Sequence, residues 1–289
     1  MFGRQRQGSV VCPSCGRLVG VRDQRCFSCG ARNPSLFGFS PALRGLVSAE
    51  GFTRLVLIGC GALYVVSLLL GQAIGGGAGA GGGFMGVLSP GWPALFLLGG
   101  TGAVPVFGYG RWWTVLSAGW LHGGLLHIAF NMMWVRDLGP AVGRLYGAGR
   151  LMLIYLVAGA GGFLVSSTVG LLGPGLPYFL HGGSRTIGAS ASLFGLFGAL
   201  ICYGQRTGQH GMRQVVWGWV LMGVFMGFLP GIDNWAHAGG FATGWLTARL
   251  LDPLREERPS QLLAGLVAVA LSLAAVVVSV LTGLSFLRG

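Results

Sequence analysis

Apolar stretches of bilayer-spanning length recur along this chain, and they leave it few folds other than a helical bundle in a membrane. About 20 apolar residues cross a hydrocarbon core as a helix, because lipid offers no partners for exposed backbone N–H and C=O groups. Seven segments meet that criterion, at roughly 54–74, 113–135, 151–172, 187–203, 215–230, 235–251 and 262–286. With 53% hydrophobic and 9% charged residues and a mean hydropathy of +0.69, too little polar surface remains to cover a soluble domain. The segment 75–110 opens on the glycine run Gly75 to Gly83 and is broken again at Gly99, Gly100, Gly102 and Pro105. It reads as an apolar loop resting partly in the interface, too interrupted to span.

The basic residues are all arginine, 19 of them against 7 acids, for a net charge of +12. On a soluble protein that balance would point to nucleic acid. Here the arginines sit in short loops between spans, so they mark orientation and no nucleic-acid partner is expected. An inside N-terminus gathers 16 of them on the cytoplasmic face: eight from Arg4 to Arg54, then Arg136, Arg144, Arg150, Arg206, Arg213, Arg249, Arg255 and Arg258. Arg111, Arg185 and Arg288 fall outside. The expectation is a multi-pass protein of the plasma (inner) membrane with its N-terminus cytoplasmic and its C-terminus outside. No apolar core of signal-peptide type occurs in residues 1–50, so an uncleaved N-terminus is expected. The 56 glycines and the exclusive use of arginine suggest a GC-rich bacterial genome.

In that topology the second, fourth and sixth spans run from outside to inside. Their outer ends carry His122, His127 and Asn131, then Ser190, then His237. Polar groups within spans are costly and default to function. A serine hydroxyl becomes a nucleophile when a base takes its proton, and His237 is the candidate base for Ser190. The only nearby acid, Asp233, precedes His237 by four residues and falls at the outer helix end. A Ser–His dyad is therefore favoured over a triad, with Asp233 as third member the alternative. Phe194, one turn below Ser190, is placed to pack against the imidazole. His127 and Asn131 share a helix face and, with the Ser190 backbone N–H, could form an oxyanion hole. His122 suits a structural hydrogen bond at the helix start. Alternatively, all these groups could simply bond one another across helices. Gly188, Gly195 and Gly198 on the fourth span, and Gly240 and Gly244 on the sixth, permit close backbone approach. The fourth span is short, which would set Ser190 below the membrane surface.

Three motifs, His122-x4-His127-x3-Asn131, Gly188-x-Ser190 and Ala236-His237-x-Gly239-Gly240-x3-Gly244, resemble those of the rhomboid intramembrane serine proteases. The resemblance covers roughly residues 50 to 251. It implies an all-α polytopic fold, with a six-helix core plus one C-terminal helix. It implies Ser190 as nucleophile, His237 as base, and His127 with Asn131 at the oxyanion. It also implies substrates that are single transmembrane helices, cut near the outer face where helix-weakening residues let the chain unwind, with no cofactor for catalysis. Three positions depart from the family pattern: Ala191 where Gly is usual, Trp113-Thr114 for a Trp-Arg pair, and Phe194 where Tyr is frequent. The family also contains catalytically dead relatives, so a pseudoprotease that guides membrane clients is the alternative. A transporter is disfavoured because the polar groups gather at one face and do not cross the bilayer.

Cys12-Pro13-Ser14-Cys15-Gly16 and Cys26-Phe27-Ser28-Cys29-Gly30 are two C-x2-C knuckles. Four thiolates so spaced suit a structural zinc, with two disulfides the alternative in an oxidising compartment. The arginines around them suit contact with anionic lipid. Cys60 and Cys202 lie in spans as small apolar residues. The domain reading is therefore a cytoplasmic zinc-ribbon-like module at 1–35, a linker at 36–53, the six-span rhomboid-like core at 54–251, and a linker with the seventh span at 252–289.

Overall fold

The computed structural model describes residues 4–74, 88–173, 180–229 and 231–286; the glycine run Gly75 to Gly83 and Arg288 lie outside them. A hairpin of β1 (Ser9–Val11) and β2 (Leu18–Gly20) precedes the short helix α1 (Ser40–Leu46). Seven long helices follow: α2 (Ala49–Ala73), α5 (Leu125–Tyr146), α6 (Ala148–Gly170), α7 (Ser190–Thr207), α8 (His210–Met226), α9 (Asn234–Leu250) and α10 (Pro259–Phe286). The short helices α3 (Trp92–Leu98) and α4 (Thr114–Ser117) lie between α2 and α5. By length and composition α2, α6 and α10 are apolar enough to cross a membrane. Large apolar side chains such as Leu69, Leu221, Phe225, Leu263 and Leu281 are exposed around the bundle, as a lipid solvent requires.

The expected spans are present with shifted ends, and one moves by more than ten residues. Helix α2 begins at Ala49, inside the expected linker, where Ser48 caps it by accepting from the Gly51 N–H at 3.0 Å. The second span does not occupy 113–135 but Leu125–Tyr146. Beyond the exposed Trp112, this stretch packs into the protein, with Thr114, Ser117, Ala118, Trp120 and Leu121 buried, and the extended residues Leu121 and Gly124 interrupt the chain before α5.

Helix α7 forms the centre, buried almost throughout from Ala191 to Cys202 and packed on α5, α6, α8 and α9. Its contact with α9 is backbone on backbone. A Cβ on Gly240 would strike the Ala191 carbonyl, one on Gly244 would strike Gly195 Cα, and one on Gly198 would come within 2.5 Å of the Phe241 carbonyl oxygen. Both contact points advance by one turn together, so the two helices run parallel. Helix α6 closes the same seam through Gly162, where a Cβ would lie 2.9 Å from Ala191 Cβ.

The seventh long helix, α10, is fastened at both ends by buried arginines. At one end Arg150 donates to Gln261 Oε1 at 2.9 Å and to the Arg255 and Glu256 carbonyls at 2.8 Å each. At the other, Arg111 donates to the carbonyls of Ser279 and Phe96, both at 2.7 Å, with its guanidinium 4.2 Å from the Phe96 ring centre. Trp120 and Trp113 add hydrogen bonds to Ser272 and Ser279. Arg111 and Arg150 are only 1% and 3% exposed, so neither is the water-facing orientation charge that its loop position suggests.

The glycine seam yields a first prediction. Gly244→Ala must push α7 from α9 at a backbone contact and should cost about 1–3 kcal/mol, read as a lower thermal unfolding midpoint in detergent. Gly218→Ala on α8, where an added Cβ meets nothing within 4 Å, should leave the midpoint unchanged.

Candidate active site

Three helix beginnings meet at one end of the bundle. Helices α5 and α7 lie side by side in the same sense: His127 near the start of α5 abuts Gly188, just before α7. Farther along, the Tyr146 hydroxyl donates to the Ala199 carbonyl at 2.9 Å. With α9 parallel to α7, the starts of all three helices converge, bringing His127, Asn131, Ser190 and His237 together. Ser190 is the first residue of α7 and is half-buried. Ala189 before it gives no side-chain cap, so the first N–H groups of α7 and its positive dipole end remain directed at this region.

His237 is 8% exposed and stacks on Phe194, with ring centres 4.1 Å apart and planes 10° from parallel. Phe194 lies one turn along α7 from Ser190, so the stack sets the imidazole beside the start of that helix. His237 Nδ1 has no hydrogen-bond partner among the described residues. Asp233 is committed elsewhere: one carboxylate oxygen caps α9 at the Ala236 N–H (3.0 Å), and the other accepts from the Ser166 hydroxyl.

The His127 ring is oriented by the Gly123 N–H, which donates to its Nδ1 at 3.3 Å. That contact assigns the ring proton to Nε2, the atom facing Gly188, where an added Cβ would sit only 2.6 Å away. Gly188 has φ +122°, a conformation L side chains rarely adopt, so both strain and the His127 ring demand glycine here. Asn131 donates one amide hydrogen to the His127 carbonyl at 2.8 Å and retains a second. His122 sits against the backbone of Trp120 at the turn before α5. Fully buried, it packs edge-on to His127 at 5.1 Å between ring centres.

The sequence gives no sign of what holds the segment before Ser190. Thr101 and Thr186 exchange backbone hydrogen bonds at 3.1 and 2.7 Å, Ala103 N–H donates to Gly183 and Val104 N–H to Ser184, and Gly188 N–H donates to Ala118. The irregular loop after α3 is thus zipped to the approach to α7. The positions that depart from the rhomboid pattern are accommodated. The Ala191 methyl lies opposite Gly162. Thr114 bonds Thr101 Oγ1 at 3.0 Å and the Arg111 carbonyl at 2.7 Å, while Arg111 supplies the guanidinium of this loop.

A second cluster lies in the N-terminal module. The sulfurs of Cys12, Cys15, Cys26 and Cys29 lie within 4.8 Å of one another, and none of the four is in a disulfide. Sγ–Sγ distances are 3.8 Å for Cys12–Cys29 and 3.6 Å for Cys15–Cys26. Zinc–sulfur bonds of about 2.3 Å give a tetrahedron with edges of about 3.8 Å, so the four sulfurs fit that ion. Gly16 (φ +75°) and Gly30 (φ +73°) close the knuckles, each donating its N–H to the carbonyl of the first cysteine. Burial raises the Cys12 thiol pKa, but the Ser14 and Cys15 N–H groups and the neighbouring thiols outweigh it and bring the pKa down to about 6. At Cys29 the Ala31 N–H acts in the lowering direction, but crowding by the other thiols pushes the pKa up to about 12.

Comparison with known proteins accords with this geometry. The Rhomboid domain model matches residues 109–253, from the loop before α4 to the end of α9. RHOMBOID-like protein 4 of Arabidopsis thaliana is 32% identical over 173 residues, covering 57% of this chain and 40% of that protein. Rhomboid protease GluP of Bacillus subtilis (strain 168) is 33% identical over 146 residues, 49% of this chain and 26% of that protein. RHOMBOID-like protein 7 of Arabidopsis thaliana is 35% identical over 144 residues, 48% of this chain and 42% of that protein. This chain thus spans less than half the length of each of these relatives. They come from a plant as well as a bacterium and lend no support to the bacterial source suggested by composition. With a domain match across half its length, centred on the helices that carry Ser190 and His237, the chain belongs to the rhomboid family.

Proposed function

We propose that this chain is an intramembrane serine endopeptidase that cuts transmembrane-helix substrates near the outer membrane face through a Ser190–His237 dyad. The observation that carries the reading is the stacking of His237 on Phe194, one turn from Ser190, with no carboxylate at its Nδ1. Ser190 Oγ attacks the scissile carbonyl as His237 accepts its proton. The tetrahedral oxyanion receives hydrogen bonds from His127 Nε2–H, the remaining Asn131 amide hydrogen and the Ser190 N–H at the start of α7. His237 then returns the proton to the leaving amine, and water releases the acyl group by the same route in reverse. Phe194 takes the orienting role of a triad acid through ring packing. A substrate helix must unwind locally to present its peptide carbonyl, so small or helix-weakening residues near the cleavage site favour it. The arginine distribution supports an orientation with the N-terminus cytoplasmic and the C-terminus outside.

Covalent labelling by a fluorophosphonate probe in detergent tests the nucleophile without a known substrate. Wild type should label and Ser190→Ala should not; equal labelling, or none beside a working rhomboid control, would favour a client-binding pseudoprotease. Asp233 separates dyad from triad. Asp233→Asn should keep its labelling rate within about tenfold of wild type, whereas loss of a true triad acid costs about 10⁴.

The four-cysteine cluster we assign to one structural zinc, whose closed thiolate set leaves no position for catalysis. Purified protein should contain about one zinc per chain, and probe labelling should survive its removal by chelator. Metal analysis showing none, with the four thiols intact and reduced, would refute the assignment.

A further inference from the structure

We propose that the N-terminal module carries a docking face for anionic lipid headgroups, made of an apolar wedge at Leu36 and Phe37 set in a groove of arginines. The groove has a volume of about 860 Å³ and is lined by Arg4, Arg6, Arg22, Arg25, Arg32 and Phe37. Asp23 is its one acidic lining residue, and a zinc–thiolate centre nearby would offset only about two of the positive charges.

The wedge is held in a conformation that apolar L residues avoid. Leu36 and Phe37 have φ of +50° and +57°, and Asn33 just before them has +46°. Strain of this kind persists only where the surroundings enforce it. Arg4 Nε donates to the Phe37 carbonyl at 2.8 Å, Gln5 N–H to the Gly38 carbonyl at 2.9 Å, and Leu36 N–H to the Asn33 carbonyl at 2.8 Å. The outcome is exposure: Leu36 is 40% and Phe37 64% accessible, and Phe37 lines the groove with the arginines. No burial within the chain repays that arrangement, whereas a membrane interface takes apolar side chains and arginines together.

The tether selects the occupant. Only Gly38 to Ser48 separate the wedge from the first residue of α2, and Ser40–Leu46 are wound in α1. The wedge therefore stays within about 30 Å of the start of a helix apolar enough to span, close to where a bilayer surface would lie. A nucleic acid would use the arginines but leave the wedge in water; a lipid surface uses both. The proposal does not depend on proteolysis.

Amide hydrogen exchange of the full chain tests it in nanodiscs of phosphatidylcholine alone and of phosphatidylcholine mixed with phosphatidylglycerol. Exchange across residues 33–39 should slow about fivefold or more in the anionic discs, and the protection should fade at high salt. The combined Leu36→Ser and Phe37→Ser variant, and separately Arg22→Gln with Arg25→Gln and Arg32→Gln, should lose the protection while keeping wild-type metal content. If a variant loses its metal, the wild-type comparison between the two discs decides alone. Equal exchange in both discs would overturn the proposal. So would equal protection in phosphatidylcholine discs on adding inorganic phosphate, which would mark a free-anion site. Protection there only by a short RNA would reassign the groove to nucleic acid.

Discussion

The contact between the backbones of α7 and α9 is the constraint on which the rest depends. In lipid there is no hydrophobic force to press two apolar helices together, so their association rests on close packing and polar contacts. Gly240 and Gly244 bring α9 directly onto Ala191 and Gly195, and Gly162 lets α6 close behind them. With both helices parallel and in register, groups near their first turns share one depth. A single added methyl on this seam would separate the helix bearing the proposed nucleophile from the helix bearing its base. The stack of Phe194 on His237 converts that fixed spacing into a fixed ring orientation, a task that a carboxylate performs in a triad.

Placing reactive groups at helix starts creates a difficulty, because the chain leading into each helix has irregular backbone at membrane depth. Such backbone survives only where protein satisfies its hydrogen bonds. Here the loop after α3 and the approach to α7 satisfy each other through the Thr101–Thr186 ladder and the Gly188–Ala118 bond. Helix α10 backs the loop, with Arg111 tying the end of α3 to Ser279. A seventh helix that looks peripheral in a linear reading is therefore part of the support for the segment ending at Ser190. Arg150 fixes its other end, so α10 is held at both ends.

Much of this was legible because membrane proteins write their constraints in composition. Apolar length announces the long helices, and a hydroxyl, two imidazoles and a carboxamide inside them stand out as unsolvated polar groups. The four cysteines are legible from spacing alone. The second span was misplaced because hydropathy registers burial in protein and burial in lipid alike, and Ala118, Trp120 and Leu121 are buried in protein. The Gly123-Gly124 pair before Leu125 was the available signal for the true helix start. The partners of Arg111 and Arg150 were illegible for a related reason: a loop arginine looks the same whether it meets water or a cluster of carbonyls. The loop ladder pairs residues some eighty positions apart and leaves no local signature at all.

The two parts of the chain are stabilised by different physics. The bundle derives its order from many close helix contacts. The module has a core of Val10, Val19, Val21, Cys12 and Cys26 around one short hairpin, far below what an independent domain needs. In so small a unit, binding of the proposed zinc and folding would be one event, because the free energy of ligation would count directly toward the fold. The module meets the bundle through the chain around α1, which contacts β1 on one side and α2 on the other. Loss of the ion would then unfold the arm while leaving the seam between α7 and α9 untouched. The wedge at Leu36 and Phe37 sits on that connection, held by Arg4 and Gln5 from the module side. Its strained shape is held by hydrogen bonds from the module, so presentation of that apolar face would follow occupancy of the proposed zinc site.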